Sequence, residues 1–200
     1  MRAPFISEEV YAKEGVGSHF ASLGLAKTSR PCTRTFLNLA RCAHDIEKNT
    51  IAGAITTDGL ARNLPKRQEI LVTDDPPYAF YYLHNGLVAI SRASPPVTTV
   101  HPSAIVHPTS FVAPRGVAIG AGVFIEPHVT ILEGVQIVMT SVVRCAARIG
   151  FEDCEHKCTS RGIISVRHEG RVEIENEVET GLNNTVAVGL MRRDARIGCR

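Results

Sequence analysis

From residue 100 to residue 149 the chain places an aliphatic side chain at every sixth position. Val100, Val106 and Val112 are followed, after one inserted residue, by Ile119, Ile125, Ile131, Ile137, Val143 and Ile149. A period of six is neither the 3.6 of a helix nor the 2 of a plain strand. In most hexads a second small residue follows four places later: Ala104, Ser110, Val123, Val129, Val135, Ser141 and Ala147. One hexad supplies a short strand and a corner, so three hexads predict a triangular coil that stacks on the next at the ~4.8 Å spacing of parallel strands. The repeated aliphatics then point into the prism. The small second residue fits where two walls converge, and His101-Pro102 and His107-Pro108 fall at turns. Hexapeptide periodicity of this kind is a β-helix signature. Counting by eighteens predicts coils over 100–118, 119–136 and 137–150. The phase is lost over about 151–171 and resumes at Ile174, Thr180 and Val186. That gap reads as a loop or hairpin ejected from one corner, where such stacks often build a binding face.

Residues 1 to about 95 follow another grammar. TIAGAITTD (50–58) and EILVTDD (69–75) each read as a short buried strand ending in polar residues. PPYAFYYLHNGLVAI (76–90) reads as a helix opened by prolines. Strand, connection, strand, helix predicts a small α/β domain over 1–95. The Pro- and Ser-rich stretch 91–99 serves as the linker to an all-β domain over 96–200.

Charge and composition narrow the function. With 22 basic and 20 acidic side chains the formal charge is +2, which makes no electrostatic case for nucleic acid or a membrane surface. The sequence has no apolar run near the ~18 residues that a spanning helix needs, and MRAPFISEEVYAKEG lacks a secretory apolar core. The expectation is a soluble cytoplasmic protein. Six cysteines scattered through 200 residues read as reduced thiols rather than a disulfide framework. Trp is absent and aromatics make up 6% of the chain, so the interior must be filled by small branched side chains, as a narrow regular core requires.

Three stretches carry a family resemblance. TFLNLARCAHDIEKNTIAGAITTD (35–58) resembles a Phe-Leu-x-Asn-Pro-Lys-Tyr region and the strand after it. ILVTDDPPYAFYYL (70–83) is similar to an Asp/Asn-Pro-x-x-Ala-Phe segment. Ile149-Gly150 followed by GRVEIENEVETGLNNTV (170–186) resembles a Gly-Arg-Val-x-Ile-Gly-Asp-x-Val-Glu-Ile-Gly-Ala-Asn-Thr-Thr-Ile run. All three belong, in this order, to the UDP-3-O-acylglucosamine N-acyltransferases of lipid A biosynthesis, within the hexapeptide-repeat acyltransferases. The resemblance implies a left-handed parallel β-helix, an exception to the usual crossover hand, behind a nucleotide-binding α/β domain. It also implies a homotrimer without a resident cofactor. The implied reaction moves a 3-hydroxyacyl chain from acyl carrier protein to the amine of a UDP-linked amino sugar. An amine attacking a thioester must lose a proton, so the chemistry calls for a general base and for donors to the developing oxyanion.

The chain departs from the family at the Asp-Arg pair, replaced by Ala187-Val188, and at the Asn and Tyr of the nucleotide region, replaced by Leu39 and Cys42. The family's catalytic histidine belongs to a coil beyond Arg200. His168, just before Gly-Arg-Val where family members often carry His, is therefore the candidate base, against a loop imidazole bonded to backbone. Phe36, Asp75 and Phe80 fall where the family builds its uridine pocket. An aromatic face stacks on a flat base and a carboxylate accepts from the uracil N–H, although Phe80 on a helix also reads as core.

The remaining chemistry-bearing residues favour structural roles. Cys154, His156 and Cys158, with Cys145 or His168, have only loosely zinc-like spacing, and surface residues are expected instead of a metal site. His101 and His107 sit at turns, and a three-His carbonic anhydrase site on the same scaffold lacks its matching partners, since His128 is the only later His on a regular coil. Asn183 and Asn184 suggest a stacked amide ladder inside or at a corner of the coil. The Arg192-Arg193 pair suits an acidic carrier protein or a solvated face. Two further function classes remain beside the acyltransferase: a non-catalytic sugar-nucleotide-binding or assembly module, and a coenzyme A-dependent sugar acetyltransferase.

Overall fold

The computed structural model describes residues 11–13, 22–25, 33–39, 51–64, 69–191 and 193–198. Cys32, Cys42, Arg192 and Cys199 lie outside the described residues, as does the 40–50 part of the first resemblance stretch. In chain order the strands are β1 (Tyr11–Lys13), β2 (Ser22–Leu23), β3 (Thr33–Leu37), β4 (Ile51–Thr56) and β5 (Glu69–Val72), with helix α1 (Asp58–Ala61) between the last two and α2 (Pro76–Ser91) after them. There follow β6 (Thr99–Val100), β7 (Ile105–Val106), β8 (Phe111–Val112), β9 (Ala118–Ile119), β10 (Phe124–Ile125), β11 (Thr130–Ile131), β12 (Val135–Ile137), β13 (Val142–Val143) and β14 (Arg148–Phe151). The series closes with β15 (His156–Thr159), β16 (Gly162–Ser165), β17 (Val172–Ile174), β18 (Thr185–Ala187) and β19 (Ala195–Ile197). The chain separates into two compact units, Met1–Leu87 with Glu155–Val166, and Val88–Cys154 with Arg167–Arg200.

The first unit is built on a five-stranded sheet of order β1-β5-β4-β3-β2. β2, β3, β4 and β5 run parallel and β1 closes the edge antiparallel to β5. β4 and β5 lie inside the two segments read as strands, and α2 covers the segment read as a helix. Parallel central strands are covered on both faces, which explains why β4 is apolar or small nearly throughout, with Ile51, Ala54 and Ile55 buried. Leu37, Ile51, Ala54 and Leu64 form one cluster of its core, with Leu60 and Ile70 packed against them, and Ile55, Val72, Phe80 and Tyr81 are buried as well. Arg34 of β3 reaches across β4 to pair with Glu69 of β5, both side chains largely buried. The hairpin β15–β16, the segment expected to be ejected from the repeat, belongs to this unit.

The second unit consists of short parallel strands in three sheets, β13-β10-β7, β18-β14-β11-β8 and β19-β17-β12-β9-β6. Successive strands β6, β7 and β8 each enter a different sheet, and β9, β10 and β11 repeat the visit, an arrangement compatible with a β-helix. The first register step is nineteen residues, Thr99 beside Ala118 and Ile105 beside Phe124. The next is eighteen, Ala118 beside Gln136 and Phe124 beside Val142, so the single inserted residue after Val112 is absorbed at one corner. Hexad aliphatics Ile119, Ile125, Ile131, Ile137, Val143, Ile149 and Ile174 stack as one buried core with Val117, Val123, Val129 and Val135.

The corners explain the His-Pro repeat. Nδ1 of His101 accepts the Ser103 amide at 3.2 Å and meets the Ser103 hydroxyl at 2.9 Å, while that hydroxyl accepts the Gly122 amide of the next coil at 3.0 Å. His107, Thr109 and His128 repeat the arrangement one corner on. Each imidazole thus tightens a turn whose hydroxyl bonds to the coil above. Close stacking also dictates Gly120, where an added Cβ would lie 1.3 Å from the Val138 carbonyl oxygen.

Candidate functional site

The site expected from Phe36, Asp75 and Phe80 lies in the first unit, around the start of α2. Asp75 is the helix N-cap. Its carbonyl accepts the Ala79 amide at 3.0 Å and its Oδ1 accepts the Tyr78 amide at 2.9 Å, with Pro76 and Pro77 filling positions that need no amide donor. The second carboxylate oxygen is also engaged: Oδ2 accepts the amide and the hydroxyl of Ser160 at 2.6 and 2.5 Å. Ser160 and Arg161 form the turn between β15 and β16, and Gly162 follows at a φ of 102° that suits glycine in short hairpins. Burial pushes the Asp75 carboxyl up, but donors from the Ser160 side chain and the Tyr78, Ser160 and Arg161 amides outweigh it, and the carboxyl sits below its ordinary value.

An aromatic cluster lies along the same helix. The half-buried Phe36 ring on β3 lies 4.9 Å from Phe80 and 5.7 Å from Tyr81, centroid to centroid. Phe80 is wholly buried, so its ring is a packing element and Phe36 is the more accessible of the two. Tyr78 and Tyr82 stack at 5.7 Å, and the Arg161 guanidinium sits 4.7 Å from the Tyr78 centroid. Burial pushes the buried Tyr81 hydroxyl above its ordinary value, with Glu155 adding to the effect and Lys157 opposing it. Lys157 pairs with Glu155 on the hairpin, and Asn85 Nδ2 donates to the Ser165 carbonyl at 2.8 Å. Sequence reasoning singled out Asp75, Phe36 and Phe80, which the structure gathers around α2, and did not single out Tyr81, Ser160 and Arg161, which lie against them or cap them. The Thr-Ser-Arg-Gly turn was the available signal for the hairpin, though not for where its tip docks.

His168 lies in the second unit, 5% exposed, and its Nδ1 has no hydrogen-bond partner. A buried imidazole nitrogen without a partner is costly unless something else uses it. The two exposed thiols Cys154 and Cys158 carry no disulfide, and His156 Nδ1 meets the Ser165 hydroxyl at 3.0 Å. Among the described residues no three His, Cys, Asp or Glu side chains converge to hold a metal ion. Asn183 sits at φ 52° in the turn column of His128 and Ala146, so this corner carries no amide ladder; both Asn183 and Asn184 are exposed, as is Arg193. An open cleft of about 610 Å³ in the second unit is lined by Glu177, Val178, Glu179, Thr180, Gly181, Ile197 and Gly198. Its two carboxylates disfavour an anionic nucleotide. Among the described residues no helix is long and apolar enough to cross a membrane.

A scan against family models finds no match to the chain, and a search of curated proteins finds none either.

Proposed function

We propose that the chain is an acyltransferase moving a 3-hydroxyacyl group from acyl carrier protein to the amine of a UDP-linked amino sugar. The reading takes the second unit as a left-handed parallel β-helix and the first as a nucleotide-binding α/β domain, acting in the cytoplasm as a homotrimer. The observation that carries it is the Phe36 ring held beside Phe80 and Tyr81 at the helix that Asp75 caps. A half-buried aromatic face packed on the helix that a carboxylate caps offers the two kinds of group that a uracil ring, flat and carrying one N–H, would use. His168 supports the chemistry, since a buried Nδ1 without a partner can take the proton that the attacking amine must lose. The trimer is supported by the outer face of β7 and β10, where Ile105 and Phe124 lie in register and are 60% and 40% exposed.

Mass spectrometry of UDP-3-O-acylglucosamine incubated with 3-hydroxyacyl carrier protein tests the proposal. The expected result is one added acyl group on the sugar nucleotide, and a rate about 100-fold or more lower for His168→Ala. Nucleotide binding without any turnover would favour the non-catalytic module. Acetyl transfer from acetyl coenzyme A without carrier protein would favour the sugar acetyltransferase.

A further inference from the structure

The hairpin β15–β16 leaves the repeat at Cys154 and returns to it at Arg167, yet its residues Glu155–Val166 belong to the first unit. It is held there by a short set of polar contacts: Ser160 on Asp75 Oδ2, Arg161 over Tyr78, and Asn85 on the Ser165 carbonyl. Of its apolar side chains Ile163 is 75% exposed, Ile164 is half-buried, and Val166 at the base of the hairpin is the one that is buried. A polar, two-stranded hairpin is marginally stable alone, so these contacts decide whether it stays docked. The carboxylate at the centre of them is the same one that the proposed nucleotide site offers to a ligand N–H. Both of its oxygens already accept hydrogen bonds, with the Ser160 amide and hydroxyl together on Oδ2.

We propose that β15–β16 is a strap closed over Asp75 when no ligand is bound, and that a uracil nucleotide and the Ser160 tip compete for that carboxylate. The inference rests on the nucleotide reading above and adds its regulation. Entry of the base exchanges the Ser160 donors for the ligand N–H, leaves the Tyr78 amide on Oδ1 so that the helix cap survives, and frees the hairpin tip. Arg161, lifted from Tyr78, is then a cation at the hairpin tip suited to the diphosphate.

The test uses the full chain with UDP as the probe, measuring binding by calorimetry and amide hydrogen exchange over 156–165. Ser160→Ala removes one donor from an exposed turn without touching the core, and Ser160→Ala with Arg161→Ala removes the cation–π contact as well. The strap predicts faster exchange of the hairpin in both variants without ligand, and UDP binding about tenfold tighter in Ser160→Ala than in the unaltered chain. It also predicts that UDP speeds hairpin exchange in the unaltered chain. If UDP binds the unaltered chain and Ser160→Ala equally, or slows exchange of the hairpin, the strap is wrong while the nucleotide reading stands. If UDP binds neither the chain nor either variant, the nucleotide reading falls and takes the competition with it. Binding to Ser160→Ala alone supports both.

Discussion

At Ser141 one hydroxyl serves two coils. It donates to the Glu175 carbonyl at 2.8 Å and accepts the Val178 amide at 3.1 Å, and the residue is fully buried. Ser110 does the same between Glu126 and Val129, at 2.7 and 3.2 Å. The second small position of the hexad therefore has two solutions: a methyl-sized apolar group that fills the corner, or a hydroxyl that ties neighbouring turns. Replacing Ser141 with Ala takes that hydroxyl from the half-buried Glu175 carbonyl and the buried Val178 amide, and should lower unfolding free energy by about 1–3 kcal/mol in a denaturant titration. Gly120→Ala should be far worse, because the new Cβ has nowhere to go against the Val138 carbonyl. Gly181→Ala is the control, since nothing lies within 4 Å of its added Cβ; thermal melts should show a large loss for Gly120→Ala and little change for Gly181→Ala.

Elements in this protein are held by carboxylates placed at their ends and corners. Asp75 caps α2 and anchors the hairpin. Glu126 on the β10 corner accepts from Arg144 at 2.5 Å and from the Cys145 amide at 2.8 Å, and Arg144 bonds onward to Glu179. The Arg144 bond, followed by the Cys145 amide, holds the Glu126 carboxyl below its ordinary value of 4.5, and the donors on Asp75 hold it below 3.8. In both cases the folded state binds the proton less readily than the unfolded chain. The stabilisation is therefore complete above the ordinary values and is lost as pH falls through the lower folded ones. A melting-temperature series from neutral pH downward should stay level until about the ordinary carboxylate values and then fall, and Asp75→Asn should remove the part of the fall that tracks hairpin exchange. The hexad and α2 were legible because their signals are local and repeated: one residue type every six positions, and Asp-Pro-Pro ahead of an apolar face. The hairpin docking was not, because Asp75 and Ser160 are 85 residues apart and a single carboxylate-to-turn contact leaves no periodic trace. The His-Pro turns lay between these cases. Their position could be read from the period, whereas the chain of bonds through Ser103 and Thr109 needed coordinates.

On the scale of the whole molecule, two units carry two kinds of order. The second unit gains its order from repetition: Ile125, Ile131 and Ile149 have no exposure and Ile137 has 1%, with Ile131 in register with Ile149 and Ile137 with Ile119 and Ile174. Truncating one rung, as in Ile131→Ala, opens a cavity between rungs that cannot collapse along the axis, and should cost about 2–5 kcal/mol by denaturant unfolding. Ile197, only partly buried at the periphery of that core, should cost clearly less on the same change. The first unit gains its order from a mixed sheet and from the aromatic cluster on the helix that Asp75 caps, and it is there that the proposed nucleotide chemistry stands. Phe36, singled out by the resemblance, keeps a half-buried ring, while Phe80, whose helical position also read as core, lies wholly buried.

The most direct measurement is a single-turnover reaction of the full chain with 3-hydroxyacyl carrier protein and UDP-3-O-acylglucosamine, read by mass spectrometry. An acyltransferase of this kind yields an N-acylated sugar nucleotide, with formation lost in His168→Ala and affinity for the sugar nucleotide lowered in Phe36→Ala. Release of free fatty acid with the sugar nucleotide unchanged, or no consumption of the thioester at all, would contradict it.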